Sequence, residues 1–285
     1  MFQITEKKIL YKDMYGMWIK APEIAKTVLP GQFIILMTKE KGERIPLTVA
    51  DYDRNKGLIY IVFQVVGKTT DELSCFNVGD CIYSFIGPLG QKSEINYYGT
   101  AVVVGGGTGI VCIHPIARNL KEAGNKVIAI IGARSKDLII MEEELKKVSD
   151  ELIITTDDGS YGRKGFVTDA LKEKLDNDKT IKIVWTIGPP IMMKVTTILT
   201  KSYPVNTIVS LNTVMVDGTG MCGSCRVSIG GETKFACTDG PEFDGQLVDW
   251  DEFMNRIIRY KTEEKKSWHH YKNQNKCQCE EEHHG

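Results

Sequence analysis

The chain has 285 residues, 42% hydrophobic and 26% charged, a composition that excludes wholesale disorder and a length that predicts two domains with room for a small third. Its 36 Lys and Arg against 37 Asp and Glu give a formal net charge of −1, which excludes the global basic field that drives nucleic-acid binding. No apolar run reaches the roughly 18–20 residues of a membrane helix, and the opening MFQITEKKILYKD alternates apolar and charged residues instead of forming a signal-peptide core, so a cytoplasmic chain without membrane contact is expected.

Residues 1–97 read as β-rich. The apolar runs MWIKA, GQFIILM, PLTVADY, LIYIVFQVV and CIYSFIG are separated by turn residues such as Pro30-Gly31, Asn55-Lys56-Gly57 and Gly87-Pro88. That spacing predicts a small antiparallel barrel. From residue 98 the pattern changes. TAVVVGGGTG is a continuous apolar strand running into glycines, and IVCIHPIARNLKEAG follows at helical spacing. KVIAIIGA, ELIITTDD, IKIVWTIGPP and NTIVSLN read as further strands, with DLIIMEEELKKV, FVTDALKEKL and IMMKVTTILTKS as the intervening helices. The alternation predicts a Rossmann-like parallel sheet over 98–211, with helices on both faces. Residues 212–250 are glycine- and cysteine-rich and too short for an ordinary core, so a metal staple is expected there. A closing helix is expected around 246–260, and the remainder of 251–285 reads as a mobile tail. The fold class is therefore α/β plus all-β.

Gly105-Gly106-Gly107-Thr108-Gly109 follows a buried strand and opens a helix. Missing Cβ atoms let a backbone approach a pyrophosphate, and the helix N-terminus supplies N–H donors. The next strand ends Gly132-Ala133-Arg134-Ser135 with no acidic residue, which leaves NAD(H) and NADP(H) both open. Asp157, Gly188 and Pro189 lie just past later strands, where ligands sit in open α/β sheets; ordinary turn chemistry is the alternative.

Eight cysteines in a reducing compartment point to ligands or redox groups before bridges. Asp217-Gly-Thr-Gly-Met-Cys222-Gly-Ser-Cys225 is followed by Cys237. With cysteine in place of Asp217 this is the ligand spacing of plant-type [2Fe–2S] proteins. The intervening glycines suit a loop that turns sharply around sulfur. A carboxylate also binds iron, so Asp217 is a candidate fourth ligand. A zinc site on the same four residues, a Cys222/Cys225 dithiol, and Asp217 as a turn residue are the alternatives. Cys277 and Cys279, with His269, His270, His283 and His284, form a second candidate cluster, read as solvated tail. Cys75, Cys81 and Cys112 read as buried small hydrophobes.

In the first domain, Arg44-Ile45-Pro46-Leu47-Thr48 and Gly67-Lys68-Thr69-Thr70 carry groups that suit phosphates, or else make an ordinary strand and turn. Together, the barrel, the Gly-Gly-Gly-Thr-Gly sheet domain and the segment ending Cys237-Thr-Asp-Gly-Pro-Glu-Phe resemble the ferredoxin reductase superfamily. Within it, the chain resembles the electron-transfer subunits of dihydroorotate dehydrogenase. It is most similar to the family of small subunits of the electron-bifurcating NADH-dependent reduced ferredoxin:NADP⁺ oxidoreductase, also called the sulfide dehydrogenase small subunit, whose members place Asp at the first ligand position. Leu211 through Cys225 carries that likeness.

The resemblance implies FAD in the barrel, with Ile45-Pro46-Leu47-Thr48 in the place of the family's Arg-x-Tyr-Ser motif and Arg44 one residue early. Leu47 stands where Tyr stacks, and Thr48 where Ser hydrogen-bonds the flavin ring. Gly67, Thr69 and Thr70 match the segment that holds the FAD pyrophosphate. Gly106, Gly107 and Thr108 match the nicotinamide-nucleotide loop. Asp217, Cys222, Cys225 and Cys237 match the [2Fe–2S] ligands. It further implies a heterodimer with a larger flavoprotein that carries [4Fe–4S] clusters and its own FAD, and through it an indirect link to ferredoxin. No catalytic acid or base is expected, because hydride passes between nicotinamide and flavin without one; His114 reads as a packing residue. The competing expectations are a dihydroorotate dehydrogenase or hydrogenase partner, and a zinc-stapled nucleotide-binding module without catalysis.

Overall fold

The structure is a computed structural model that describes residues 2–274. The first half holds β1 (Phe2–Tyr11), β2 (Met14–Lys20), α1 (Pro22–Thr27), β3 (Phe33–Met37), β4 (Ile45–Asp53), β5 (Leu58–Gln64), α2 (Lys68–Ser74), β6 (Cys81–Ile82) and β7 (Ser84–Leu89). Seven strands pair antiparallel in the order β6-β1-β2-β5-β4-β3-β7. The sheet curls into a nearly closed barrel around Ile4, Met17, Ile19, Ile34, Leu36 and Ile61. The run CIYSFIG is not one strand. It divides into β6 and β7 at opposite edges of the sheet, because the chain crosses the open seam there. Cys81, on the two-residue edge strand, and Cys75, at the end of α2, are exposed and not buried as expected. Helices α1 and α2 are too short to leave a periodic signal in the sequence.

The second half contains β8 (Thr100–Gly106), α3 (Gly109–Glu122), β9 (Lys126–Ala133), α4 (Glu142–Val148), β10 (Glu151–Thr156), β11 (Arg163–Lys164), α5 (Val167–Asn177), β12 (Ile181–Ile187), α6 (Pro190–Thr200) and β13 (Asn206–Ser210). The order β11-β10-β9-β8-β12-β13 is parallel throughout. Strand β8 is buried at every position, the signature of a parallel strand covered on both faces. Helix α3 turns Ile110, Ile113, Ala117 and Leu120 onto the sheet, at helical spacing. Helix α4 starts only at Glu142, because Met141 takes a left-handed backbone that breaks the expected longer helix.

The last part holds β14 (Arg226–Ile229), β15 (Glu232–Phe235), β16 (Glu242–Asp244), α7 (Trp250–Ile257) and α8 (Lys261–Gln274). Strand β16 adds an antiparallel edge beside β13, so the cysteine segment ends inside the second sheet. Residues 261–274, expected as tail, form α8 instead. Its Trp268 indole donates to Asp71 on α2 at 2.8 Å, an anchor that charge composition does not reveal. Cys277, Cys279, His283 and His284 lie outside the described residues. Among the described residues no helix is long and apolar enough to cross a membrane.

The three parts share cores. Met14, Ala50 and Val62 of the barrel join the cluster formed by α3, β8 and β9. Phe33 and Ile35 of β3 pack with Met215, Cys225, Ala236 and Cys237. Arg118 of α3 pairs with Asp51 of β4 at 2.5 Å and lies over the Tyr52 ring.

Candidate functional site

A cleft of about 740 Å³ opens at the carboxyl ends of β8, β9, β10 and β12. Gly106, Gly107, Thr108, Arg134, Asp157 and Pro189 all line it, so six of the residues singled out from the sequence come together in space. Gly188 lies against the loop: a Cβ there would meet the N and O of Gly106 at 3.1 and 2.9 Å. The strand ends are knitted by Asp157 N–H to Ala133 O (3.1 Å) and Asp158 N–H to Arg134 O (3.2 Å), which sets Arg134 and Asp157 side by side. The barrel contributes Tyr11 and Gln64 to the same cleft. Sequence reading missed both, along with Phe166 and Met192, because nothing local marks a residue that faces another domain. The 14-residue α3 begins at the cleft, and its N-terminal N–H groups and dipole favour an anion. The backbone cradle fits a dinucleotide.

Thr48 lies on β4 opposite Phe33 of β3. It lies near Cys112 on the first turn of α3, and burial pushes that thiol up to about 11. Cys112 is half-buried, not fully buried as expected, at a junction of domains. Arg44 is exposed just before β4, while Pro46 and Leu47 are half-buried and pair with Ile35 and Ile34. Gly67 caps α2. The Thr70 hydroxyl accepts from Val66 N and Gly67 N at 3.0 and 3.1 Å and donates to Gly67 O, while Thr69 donates to Glu43 at 2.9 Å. Both hydroxyls are therefore engaged within the protein, and what this segment offers a phosphate is backbone N–H. A half-buried Thr beside open backbone donors fits a flavin nucleotide along β4 and α2.

The Cys225 and Cys237 sulfurs are 3.2 Å apart and buried, against Phe33 and Ile35 of the barrel. The loop 217–224 covers them, with Gly218, Gly220 and Gly223 in left-handed conformations that L side chains resist. The Gly220 N–H lies on the Cys237 sulfur. Burial and the neighbouring Cys225 push the Cys237 thiol up to about 12. Cys222 is exposed, and hydrogen bonds from Ser224 hold its thiol below the ordinary range. Asp217 accepts from Thr219 N and Cys222 N, both at 2.7 Å, which lowers its carboxyl. Among the described residues no three His, Cys, Asp or Glu side chains form a ready-made metal cage. The thiol pair is formed, while Cys222 and Asp217 stand on the covering loop. Three sulfurs and a carboxylate around one glycine loop fit an iron–sulfur cluster.

Glu242, unassigned by the sequence reading, is half-buried between the units. Its carboxylate accepts from Ser93 Oγ at 2.7 Å and Trp185 Nε1 at 3.1 Å, and burial raises its pKa. Below the usual carboxylate range Glu242 is protonated in folded and unfolded chain alike. As pH rises past that range the unfolded chain ionises first, so folding stability declines until the raised native pKa is passed. Urea unfolding from pH 4.5 to 8 should show this decline for the native chain, and Glu242→Gln should flatten it. Parallel pH curves for the two proteins contradict this account.

His114 is buried on α3, and burial lowers its pKa, in keeping with a packing role.

The architecture defines the class: a ferredoxin-reductase-type fold carrying an added cysteine segment. A cytochrome P450 reductase of Amycolatopsis shares the fold at TM-score 0.61 and 22% identity, over 70% of this chain and 65% of that one. Residues 103–197 match the oxidoreductase NAD-binding domain, and residues 212–249 match the iron–sulfur cluster binding domain of dihydroorotate dehydrogenase B. A homologue of the dihydroorotate dehydrogenase B electron transfer subunit from Thermotoga maritima is 50% identical, covering 94% of this chain and 95% of its own. The subunit itself from Desulforamulus reducens is 34% identical over 88% and 100%. A solved chain of an NADH-dependent reduced ferredoxin–NADP oxidoreductase, described in connection with flavin-based electron bifurcation, superposes with TM-score 0.90 at 49% identity, over 95% of this chain and 98% of that one. The chain belongs to the dihydroorotate dehydrogenase B electron-transfer subunit family, as an oxidoreductase subunit with NAD-binding and iron–sulfur-binding domains.

Proposed function

We propose that this chain takes electron pairs from a nicotinamide nucleotide, most simply NADH, and releases them singly to a larger iron–sulfur flavoprotein in the cytoplasm, as the small subunit of an NADH-dependent reduced ferredoxin:NADP⁺ oxidoreductase. In this reading Gly106, Gly107, Thr108, Gly188 and Pro189 hold the nucleotide, with Arg134 and Asp157 beside its ribose. Arg44, Pro46, Leu47 and Thr48 line the flavin ring, and Gly67, Thr69 and Thr70 border its pyrophosphate. Asp217, Cys222, Cys225 and Cys237 bind the cluster. When bound, FAD supplies the exchange between hydride pairs and single electrons, and a [2Fe–2S] cluster carries the single electrons. The chain's own task is to align and insulate.

The observation that carries the reading is the line of contacts through β3 and β4. Thr48 lies near Cys112 on the helix that begins at the nucleotide loop, and the Arg118–Asp51 pair ties that helix to β4. Its strand partner Phe33 packs on the Cys225–Cys237 pair. One strand pair thus separates the nucleotide cleft from the thiols. A dihydroorotate dehydrogenase partner is the second reading, favoured by the names of the relatives; Asp217 in the place of a first cysteine supports the oxidoreductase reading over it. The test is anaerobic reconstitution followed by iron, sulfide and flavin analysis and a visible spectrum. A yellow-brown protein with FAD, iron and sulfide, bleached by NADH, is expected. A colourless protein with one equivalent of zinc overturns the proposal.

A further inference from the structure

A second, smaller cavity of about 180 Å³ lies away from the nucleotide cleft, beside the cysteine loop. Its walls include Cys222 and Ser224 of the loop, Arg226 at the start of β14, Arg256 in the last turn of α7 and Arg259 just beyond. Three arginines therefore line one small space. Arg226 and Arg256 each donate to a loop carbonyl, of Gly223 and Ser224, both at 3.2 Å. Those bonds leave most of their donors unused. Among the described residues the ion-paired arginines are Arg118 and Arg163, not these three. Glu252, one turn earlier on α7, offsets part of the charge at Arg256, while Arg226 and Arg259 oppose it. In the same wall Thr213 Oγ1 is buried without a hydrogen-bond partner.

Like charges crowded around an unused hydroxyl make a site for an anion with several acceptor oxygens. The surroundings say which kind. Met221, next to Cys222, is 88% exposed, Val216 46% and Tyr260, in the cavity wall, 50%. Exposed Met and Tyr beside Arg is the composition of a protein interface, and a cavity of this size suits a side-chain carboxylate. We propose that the arginine cavity seats an Asp or Glu side chain of the larger subunit and so docks that subunit over the cysteine loop. This rests on the reading that the chain passes electrons onward to such a subunit, and it adds the surface and the charge that recognise it. Cys222 shares the cavity wall, so the docked carboxylate comes to rest beside the sulfur nearest the exit.

The test uses the full chain, loaded with flavin and cluster, and the purified larger subunit, with binding measured by calorimetry at low and high NaCl. Arg259 donates no side-chain hydrogen bond among the described residues and stands outside the nucleotide cleft, so Arg259→Glu should keep the visible spectrum and the NADH–menadione activity. Its Kd for the larger subunit should rise at least about tenfold, and the salt dependence of binding should weaken. Arg259→Gln should show a smaller rise, and it serves if charge reversal prevents folding. Arg226→Glu should act in the same direction. Native Kd and salt slope in all three variants overturn the inference. So does inorganic phosphate that stabilises the lone chain while Arg259→Glu leaves Kd unchanged, since the cavity then serves a free anion. If the two native chains do not associate at all, the proposed function fails and the docking surface with it.

Discussion

Cys225→Ser is expected to abolish the iron–sulfur signal and one-electron delivery while leaving NADH oxidation by a flavin-level acceptor such as menadione within about twofold. Cys225 is buried against the barrel and 3.2 Å from Cys237, and the pair is the one part of the cluster site already assembled. Serine keeps the volume but is a far poorer ligand for a soft metal. Loss of an outer-shell partner alone costs roughly 10–100-fold in metal affinity, and loss of a direct ligand should cost more. Iron content and the visible spectrum after anaerobic reconstitution report the outcome. Asp217 gives the finer test. Asp217→Cys should retain a cluster with an altered spectrum and potential, and Asp217→Ala should lose or weaken it. Asp217 also accepts two backbone N–H bonds, so a purely structural role predicts that Asp217→Asn holds the cluster as well as the native chain. A cluster left unchanged by both Ala and Asn removes Asp217 from the ligand set.

Gly109→Ala should cost more than any other single change in the nucleotide loop. A Cβ at Gly109 would stand 2.1 Å from Ile187 O and 2.7 Å from Gly188 Cα. Both are backbone atoms at the end of β12 and have nowhere to move, so the start of α3 must lift off the sheet. Overpacking of this kind costs about 1–3 kcal/mol. It also displaces the N–H groups that face the cleft, so the KM for NADH should rise about tenfold or more, in line with each 1.4 kcal/mol being tenfold. Gly106→Ala is the control. Its Cβ would meet Met192 Sδ at 2.4 Å, the middle of a flexible side chain that can rotate aside. A smaller loss of stability and a smaller rise in KM are expected. Equal effects at the two positions, read by urea midpoint and steady-state kinetics, count against the backbone clash as the cause.

The parallel sheet was legible because fully buried strands such as TAVVVGG and amphipathic helices such as α3 leave strong, distinct periods. The barrel was legible in outline from short runs and turn residues. Its seam was not, since the split of CIYSFIG into β6 and β7 depends on which strands meet across the closure. Helices α1 and α2 are each under two full periods of useful signal. Helix α8 is highly charged, and contacts with α2 such as the Trp268–Asp71 bond and the Lys272–Asp71 pair tell it from a tail.

The functional residues divide the same way. The glycine loop, Asp217 and the three cysteines are local strings, and their spacing marked them as candidates for sharp turns, close backbone approach and metal ligation. Tyr11, Gln64, Glu242 and the Arg226–Arg256–Arg259 cavity are assembled from segments far apart in the chain. No window of sequence contains both sides of such a contact. Only the docking of barrel, sheet and cysteine segment brings Phe33 onto Cys225 and Cys237 and sets Thr48 beside Cys112, because burial of apolar surface between units, not spacing within one, decides which side chains meet.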